Sequence, residues 1–311
     1  MAYTADDLVS AIRLRASLDS ESEPTSTEIL DLATSSLRTL CLSELRRARE
    51  EFLIYRYDQP LADEARFPIP GRAVGDGLRH VVPVDRDGHE GLPLPLLSLD
   101  QAQEHAASGL ISWQARYGYV AEGPAIRLIP EPTEGPNGPT LRMRYMVRPG
   151  RLQTAVGEVT VASYAAGVVT ASGAPTTFSS GDRVDIVAAR PPFAYRAIDI
   201  PATVAGSTVT IDETDPGFQE APQAGDYVVA ADTVPLMPLP AEMWDLLVQD
   251  TVVRVLRHIG QLDEARAAAE ERNGIRGDLR TIWEPRVGRN KKVVNRHSHL
   301  RTGRFRGYRG S

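Results

Sequence analysis

Apolar and polar positions follow two rhythms along this chain. From Thr4 the run TADDLVSAIRLRASL sets Leu8 and Ile12 four apart on one face, and Thr4 with Asp7 has the spacing of an N-terminal cap, which predicts a first helix. A second helix is predicted from Thr25, because Thr25 and Glu28 repeat the capping-box spacing and Ile29, Leu32, Leu37, Leu40, Leu45 and Phe52 recur at near-helical intervals. At FLIYRYDQPL aromatic and β-branched residues rise ahead of Pro60, so helix is expected to give way to an extended strand.

From about Gln59 to Pro149, proline and glycine cut the chain into short strand-like pieces: RFPIP, LRHVVPVD, LPLPLLS, ARYGYVAE, AIRLIP and LRMRYMVR. Hairpins are expected, with DRDGHEG and EGP as their turns. One short helix interrupts them at SLDQAQEHAASG, with Ser98 as cap and Gln101 at the third helical position. Residues 150–235 change character, being rich in Val, Thr, Ala and Gly. Here GVVTASGAPTTFSSGDRVDIVAARPP lies beside GSTVTIDETDPGFQEAPQAGDYVVAADTVP as an internal duplication, matching a V-T run, a loop Phe, and Gly181-Asp182 with Gly225-Asp226 before a strand. Two copies of a strand-loop-strand unit imply an inserted small barrel or sandwich.

Helical periodicity returns with PAEMWDLLVQDTVVRVLRHIGQLDEARAAAEERNGIRGDLRTIW. Pro240 suits a first turn, Met243, Leu247, Thr251, Val255 and Ile259 form a stripe, and Gly260 ends the helix before Asp263 caps another. The expected fold is α+β. A helical bundle is built from residues 1–57 and 236–284, a β-hairpin region spans 58–149, a small β-barrel or sandwich is inserted at 150–235, and an extended basic arm follows at 285–311.

Charge divides the chain unevenly. Residues 285–311 hold nine Arg and Lys and no acid, while the other 284 hold 26 basic and 41 acidic residues, so +9 stands against −15. Such asymmetry signals interaction and says little about fold. The single cysteine, Cys41, excludes a disulfide framework and a cysteine zinc site; between Leu40 and Leu42 it reads as a small buried hydrophobe. No apolar run nears the roughly 20 residues that span a bilayer, and MAYTADDLV lacks the blocks of a signal peptide, so assembly in a cytoplasm and no membrane partner are expected.

Candidate chemistry is sparse. Asp85, Asp87 and Glu90 have the acid spacing of a partial calcium loop but lack the later bidentate Glu, and a tight turn explains them. Asp212, Glu213 and Asp215 are close enough for paired-carboxylate work yet sit in a loop with Pro and Gly, where a solvated turn is the simpler account. His297 and His299 stand among positive charges that repel a metal ion. No nucleophile elbow, P-loop or dinucleotide glycine fingerprint occurs, so no enzyme, cofactor or metal is expected.

The closing NRHSHLRTGRFRGYRGS supports two partners. Clustered Arg with Phe305 and Tyr308 suits nonspecific nucleic-acid binding, which makes a DNA-binding virion or packaging accessory protein the alternative. Val293, Val294 and Leu300 give the same stretch the apolar anchors of a segment ordered in a protein groove.

The opening TADDLVSAIRLRASL, the late LPAEMWDLLVQDTVVRVL, the PRV turn at Pro285 to Val287 and the closing NRHSHLRTGR resemble the head-to-tail adaptor, or connector, proteins of tailed bacteriophages. The resemblance implies a structural virion protein without an active site, forming a typically twelvefold ring in the neck between capsid and tail. Its partners would be the portal protein, a downstream tail or neck protein, other copies of itself, and double-stranded DNA in transit. It further implies that the portal-docking arm is formed by Lys291, Lys292, Val293, Val294, Asn295, Arg296, His297, Ser298, His299, Leu300, Arg301 and Arg304, with the helices near 4–18 and 240–259 making ring and portal contacts. The acidic body then suits a channel through which DNA slides, since like charge denies the phosphates ion-pair contacts.

Overall fold

In a computed structural model, the described residues are 4–18, 24–61, 66–107, 117–132, 139–154, 158–190 and 194–283. The chain opens with α1 (Ala5–Arg15) and α2 (Ser26–Ser36), each started by the capping box the sequence predicts: the Thr4 hydroxyl accepts from the Asp7 amide, and that of Thr25 from the Glu28 amide. A wide π turn over Leu37–Cys41 leads into α3 (Leu42–Ala48), and a 3-10 turn over Glu50–Leu53 hands the chain to β1 (Ile54–Pro60). Next come β2 (Arg66–Pro68), β3 (Ala73–Val84), α4 (Leu99–Ala107), β4 (Gly118–Glu122), β5 (Ala125–Ile129) and β6 (Thr140–Val147). At the start of α4, Ser98 and Gln101 cap each other, again as the spacing requires.

The hairpin expectation for this region holds in part. Among the described residues β4 and β5 form a hairpin turning at Gly123-Pro124, and the DRDGHEG turn folds Glu90 back antiparallel onto Val84; β6, however, is a central strand with β1 on one side and β3 on the other, and β2 pairs with β5. The reason lies in β6 itself. Its Leu141, Met143 and Tyr145 alternate inward while Arg142 and Arg144 point outward, and a strand with one wholly apolar face is better covered between two neighbours than at an edge. LPLPLLS is not a strand either, since Pro93 and Pro95 have no N–H to donate. It runs as a bridge between two sheets, the Leu94 amide donating to Val81 and that of Leu97 to Tyr119. Between the sheets β1-β6-β3 and β2-β5-β4 lie Phe67, Val81, Ile126, Leu128, Leu141 and Met143, all buried.

The rest of the β structure is β7 (Arg151–Leu152), β8 (Val159–Ala165), β9 (Val168–Ala171), β10 (Arg183–Val187), β11 (Tyr195–Ala205), β12 (Thr208–Ile211), β13 (Tyr227–Ala230) and β14 (Thr233–Val234). Strands β8–β13 close an antiparallel barrel in the order β10-β11-β12-β9-β8-β13, which decides between barrel and sandwich. Valine, isoleucine and alanine fill its interior, among them Val169, Val184, Ile186, Ala197, Ile200, Val209 and Val228. Exchanging β8 with β11, β9 with β12 and β10 with β13 maps the six pairings onto themselves. The match extends to single bonds. Gly181 and Gly225 both take a left-handed φ, at 95° and 93°; the following Asp182 and Asp226 each donate a backbone N–H to the residue three before and accept that residue's N–H on Oδ2 at 2.8 Å. The chain reaches the barrel through β7 and leaves it through β14, which pair in parallel.

After a 3-10 turn at Ala241–Met243 the chain forms α5 (Trp244–His258) and α6 (Leu262–Trp283). Pro240 is the residue before that turn, and α6 begins at Leu262, so Asp263 lies inside its first turn and does not cap it. Placed there, its carboxylate still faces the positive helix end. Helix α5 packs against α1, α2 and α6; of the predicted stripe, Met243, Leu247, Thr251 and Val255 are buried, while Ile259, just past the helix end, is half-buried against the core. The result is a mixed α+β fold with several helices and a closed six-stranded barrel. Among the described residues no helix is long and apolar enough to cross a membrane.

Candidate interaction surface

All twelve residues expected in the portal-docking arm, Lys291–Leu300 with Arg301 and Arg304, lie outside the described residues, as do His297 and His299 as metal candidates. The structure does describe the helix from which that segment departs. In α6, Arg272, Arg276 and Arg280 recur every four residues on one face. Arg276 and Arg280 both reach Glu44 of α3, whose side chain is only 4% exposed: Arg276 Nε lies 2.7 Å from Oε1, Arg280 Nη2 2.7 Å from Oε1 and Arg280 Nε 2.9 Å from Oε2. The Arg280 hydrogen bonds, then those of Arg276, hold the Glu44 carboxyl below the ordinary glutamate range against the pull of burial. Arg272 reaches Asp250 of α5 at 3.0 Å, and Arg254 shares that carboxylate while touching Ser35 and Thr39. Leu279 is buried and Trp283 packs on the main core, so the last turn of α6 is fixed to the body.

A second charged centre joins barrel, sheet and helices. Arg72, just before β3, is 5% exposed and pairs with Asp185 of β10, which is wholly buried. The same guanidinium donates to the Arg148 carbonyl at 2.9 Å and to Tyr195 Oη at 3.1 Å, with its carbon 5.0 Å above the Tyr195 ring centre. Asp185 also accepts the backbone amides of Asp199 at 2.7 Å and Asp232 at 3.2 Å. Burial pushes the Asp185 carboxyl up to about 6, and Arg72 keeps it from rising further, so the pair is ionised at neutral pH. Beside it Arg38, at the π turn, holds Asp232 at 3.1 Å and the Pro149 carbonyl at 3.1 Å.

Compared with protein-family models and with curated proteins, this chain matches none.

The carboxylate groups singled out in the sequence are bound into local structure. Asp85 accepts the amides of Asp87 and His89 within its own turn, and Glu90 pairs with Arg142 and Arg144, each at 2.7 Å. Asp85, Asp87 and His89 come together on the surface, all three exposed. Asp212 accepts from Thr214, Asp215 from the Gly217 amide, and Glu213 meets Tyr164 across the barrel. Cys41 is buried, and burial raises its thiol far above the ordinary value, which leaves it without nucleophilic thiolate. What sequence reasoning missed is the Arg72 and Glu44 centres. The four-residue spacing of arginines in α6 is the one trace in the sequence of the second.

Proposed function

We propose that this chain is a structural adaptor of a tailed-phage virion, one subunit of a ring in the neck that joins the portal at the capsid vertex to the tail and lets DNA pass. The observation that carries the proposal is the charge split between body and C-terminal segment, −15 against +9, together with the fixed root of that segment. A basic segment with apolar anchors, leaving a helix end clamped by Glu44, suits a strap whose origin is held while its residues 291–304 order against a partner. Helices from both chain ends would form the ring-building bundle, with α1 and α6 offering more surface to neighbours than the largely buried α5. The exposed leucines Leu92 and Leu96 on the bridge between the sheets, with Leu99 at the start of α4, suit contact with the next neck or tail component. No catalytic role is assigned.

Deleting residues 291–311 tests the proposal. Circular dichroism should be unchanged by the deletion, and stable attachment to portal-bearing capsids should be lost; normal attachment refutes the role of the segment. DNA binding by the intact chain that falls steeply with salt and vanishes with the deletion would establish the accessory DNA-binding role instead.

A further inference from the structure

The strongest unassigned feature is a groove of about 690 Å³ between the end of α1, the face of α5 and the first half of α6. Val252, Leu256, Ala16 and Ala268 line its floor, with Glu264 and Glu271 on the α6 rim. Next in sequence to the lining residues Arg15 and Gln261, Leu14 and Leu262 are 81% and 58% exposed. The one cation of the groove, Arg15, is held by Asp245 at 2.5 Å. Glu264 and Glu271 are exposed, and among the described residues no cation pairs with either. The surface therefore has an apolar bottom interrupted by buried Gln249, whose amide donates to Glu271 at 3.0 Å, and is negative along one edge.

We propose that this groove holds the segment Lys291–Leu300 of the same chain, with Val293 and Val294 on the floor and Lys291 and Lys292 against Glu264 and Glu271. Charge and apolar content match on both sides: the segment offers three basic residues and the apolar pair, with no acid. Reach also matches. Glu264 and Glu271 lie 19 and 12 residues before the helix end at Trp283, about 28 and 18 Å along the axis at the helical rise. The nine residues 284–292 span up to about 30 Å when extended, enough for Val293 to return to the groove of its own molecule. This docking needs no second protein and stands independently of the adaptor assignment; in an adaptor, the portal would have to displace the segment from it.

Lys291 and Lys292 are the only lysines in the chain, which makes zero-length carbodiimide coupling selective. The full-length protein is treated when dilute, the monomer band is isolated, and amide links are mapped by mass spectrometry. Links from Lys291 or Lys292 to Glu264 or Glu271 within the monomer are expected, weakening as salt is raised. In the full-length V293N/V294N variant, which leaves every coupling group in place and adds none, those links should be lost; V293L/V294L should keep them. Links scattered over carboxylates remote from the groove, links found only in covalent dimers, or links unchanged in V293N/V294N would each overturn the proposal.

Discussion

Replacing Arg72 with methionine removes one half of a buried ion pair while keeping most of the side-chain volume. What remains is Asp185, wholly buried, with two backbone amides and, among the described residues, no other ion-pair partner, and Tyr195 and the Arg148 carbonyl each lose a donor. An uncompensated buried charge of this kind costs about 3–5 kcal/mol. Asp185→Asn leaves the guanidinium with Asp232, 3.5 Å from its Nε, as its remaining ionic partner, whereas the double variant buries no charge at all. The double loss should therefore fall short of the sum of the single losses by at least about 2 kcal/mol. Guanidinium unfolding followed by two probes measures this. Residues 159–230 of the barrel contain no tryptophan, so in a Trp113→Phe background Trp244 and Trp283 report the helices while far-ultraviolet circular dichroism reports the whole. The two transitions should coincide in the wild type and separate in R72M, because the pair ties barrel to sheet and helices. The pH dependence has a definite sign. Without Arg72 the Asp185 carboxyl rises above 6, the folded state keeps a proton that the unfolded chain releases near 3.9, and R72M should gain stability as pH falls from 8 to 5. A loss under about 1 kcal/mol, additive with Asp185→Asn, would refute the reasoning.

Two further expectations rest on single groups. Glu158, at the approach to the barrel beside Gln153 and Thr177, is raised by burial to about 7, so wild-type stability should fall as pH rises through 7. Glu158→Gln should abolish that slope in thermal melts and gain about 1–2 kcal/mol at pH 8, a figure reduced for the group's partial exposure. Glu44→Ala should cost about 2 kcal/mol by leaving Arg276 and Arg280 without their acceptor. Amide exchange in residues 276–283 should quicken, and because the Glu44 carboxyl is held low in the folded state, the wild-type advantage should vanish as pH drops below about 4.

What was legible in the sequence was local. Thr4 with Asp7, Thr25 with Glu28 and Ser98 with Gln101 announce their helices because each cap is built from residues three apart. The duplicated Gly-Asp turns of the barrel were legible for the same reason, since Gly181 and Gly225 satisfy a backbone demand that only nearby residues impose. Pairing was not. That β6 accepts β1 and β3 depends on which distant strands cover Leu141 and Met143, and alternation alone does not name them. Still less legible was Arg72 with Asp185, 113 residues apart, where nothing in either neighbourhood marks the partner. The π turn at Leu37–Cys41 also escaped, as its apolar spacing passes for continuous helix. The proposed arm residues were found by composition alone.

The two-fold pattern of the barrel has a consequence for the order in which a ribosome releases it. Within each half only one pairing is local, β8 with β9 and β11 with β12; the other four pairings all join one half to the other. The first half, Val159–Val187, therefore emerges with most of its edges unmet and waits until Tyr227–Ala230 has been made. Thr233–Val234 follows only two residues later and pairs with Arg151–Leu152. Closure of the barrel and its seating on the rest of the chain thus become nearly simultaneous events in synthesis, and a chain stalled before Tyr227 would present two unmet strand edges, those of β8 and β10, to any neighbour on the same message.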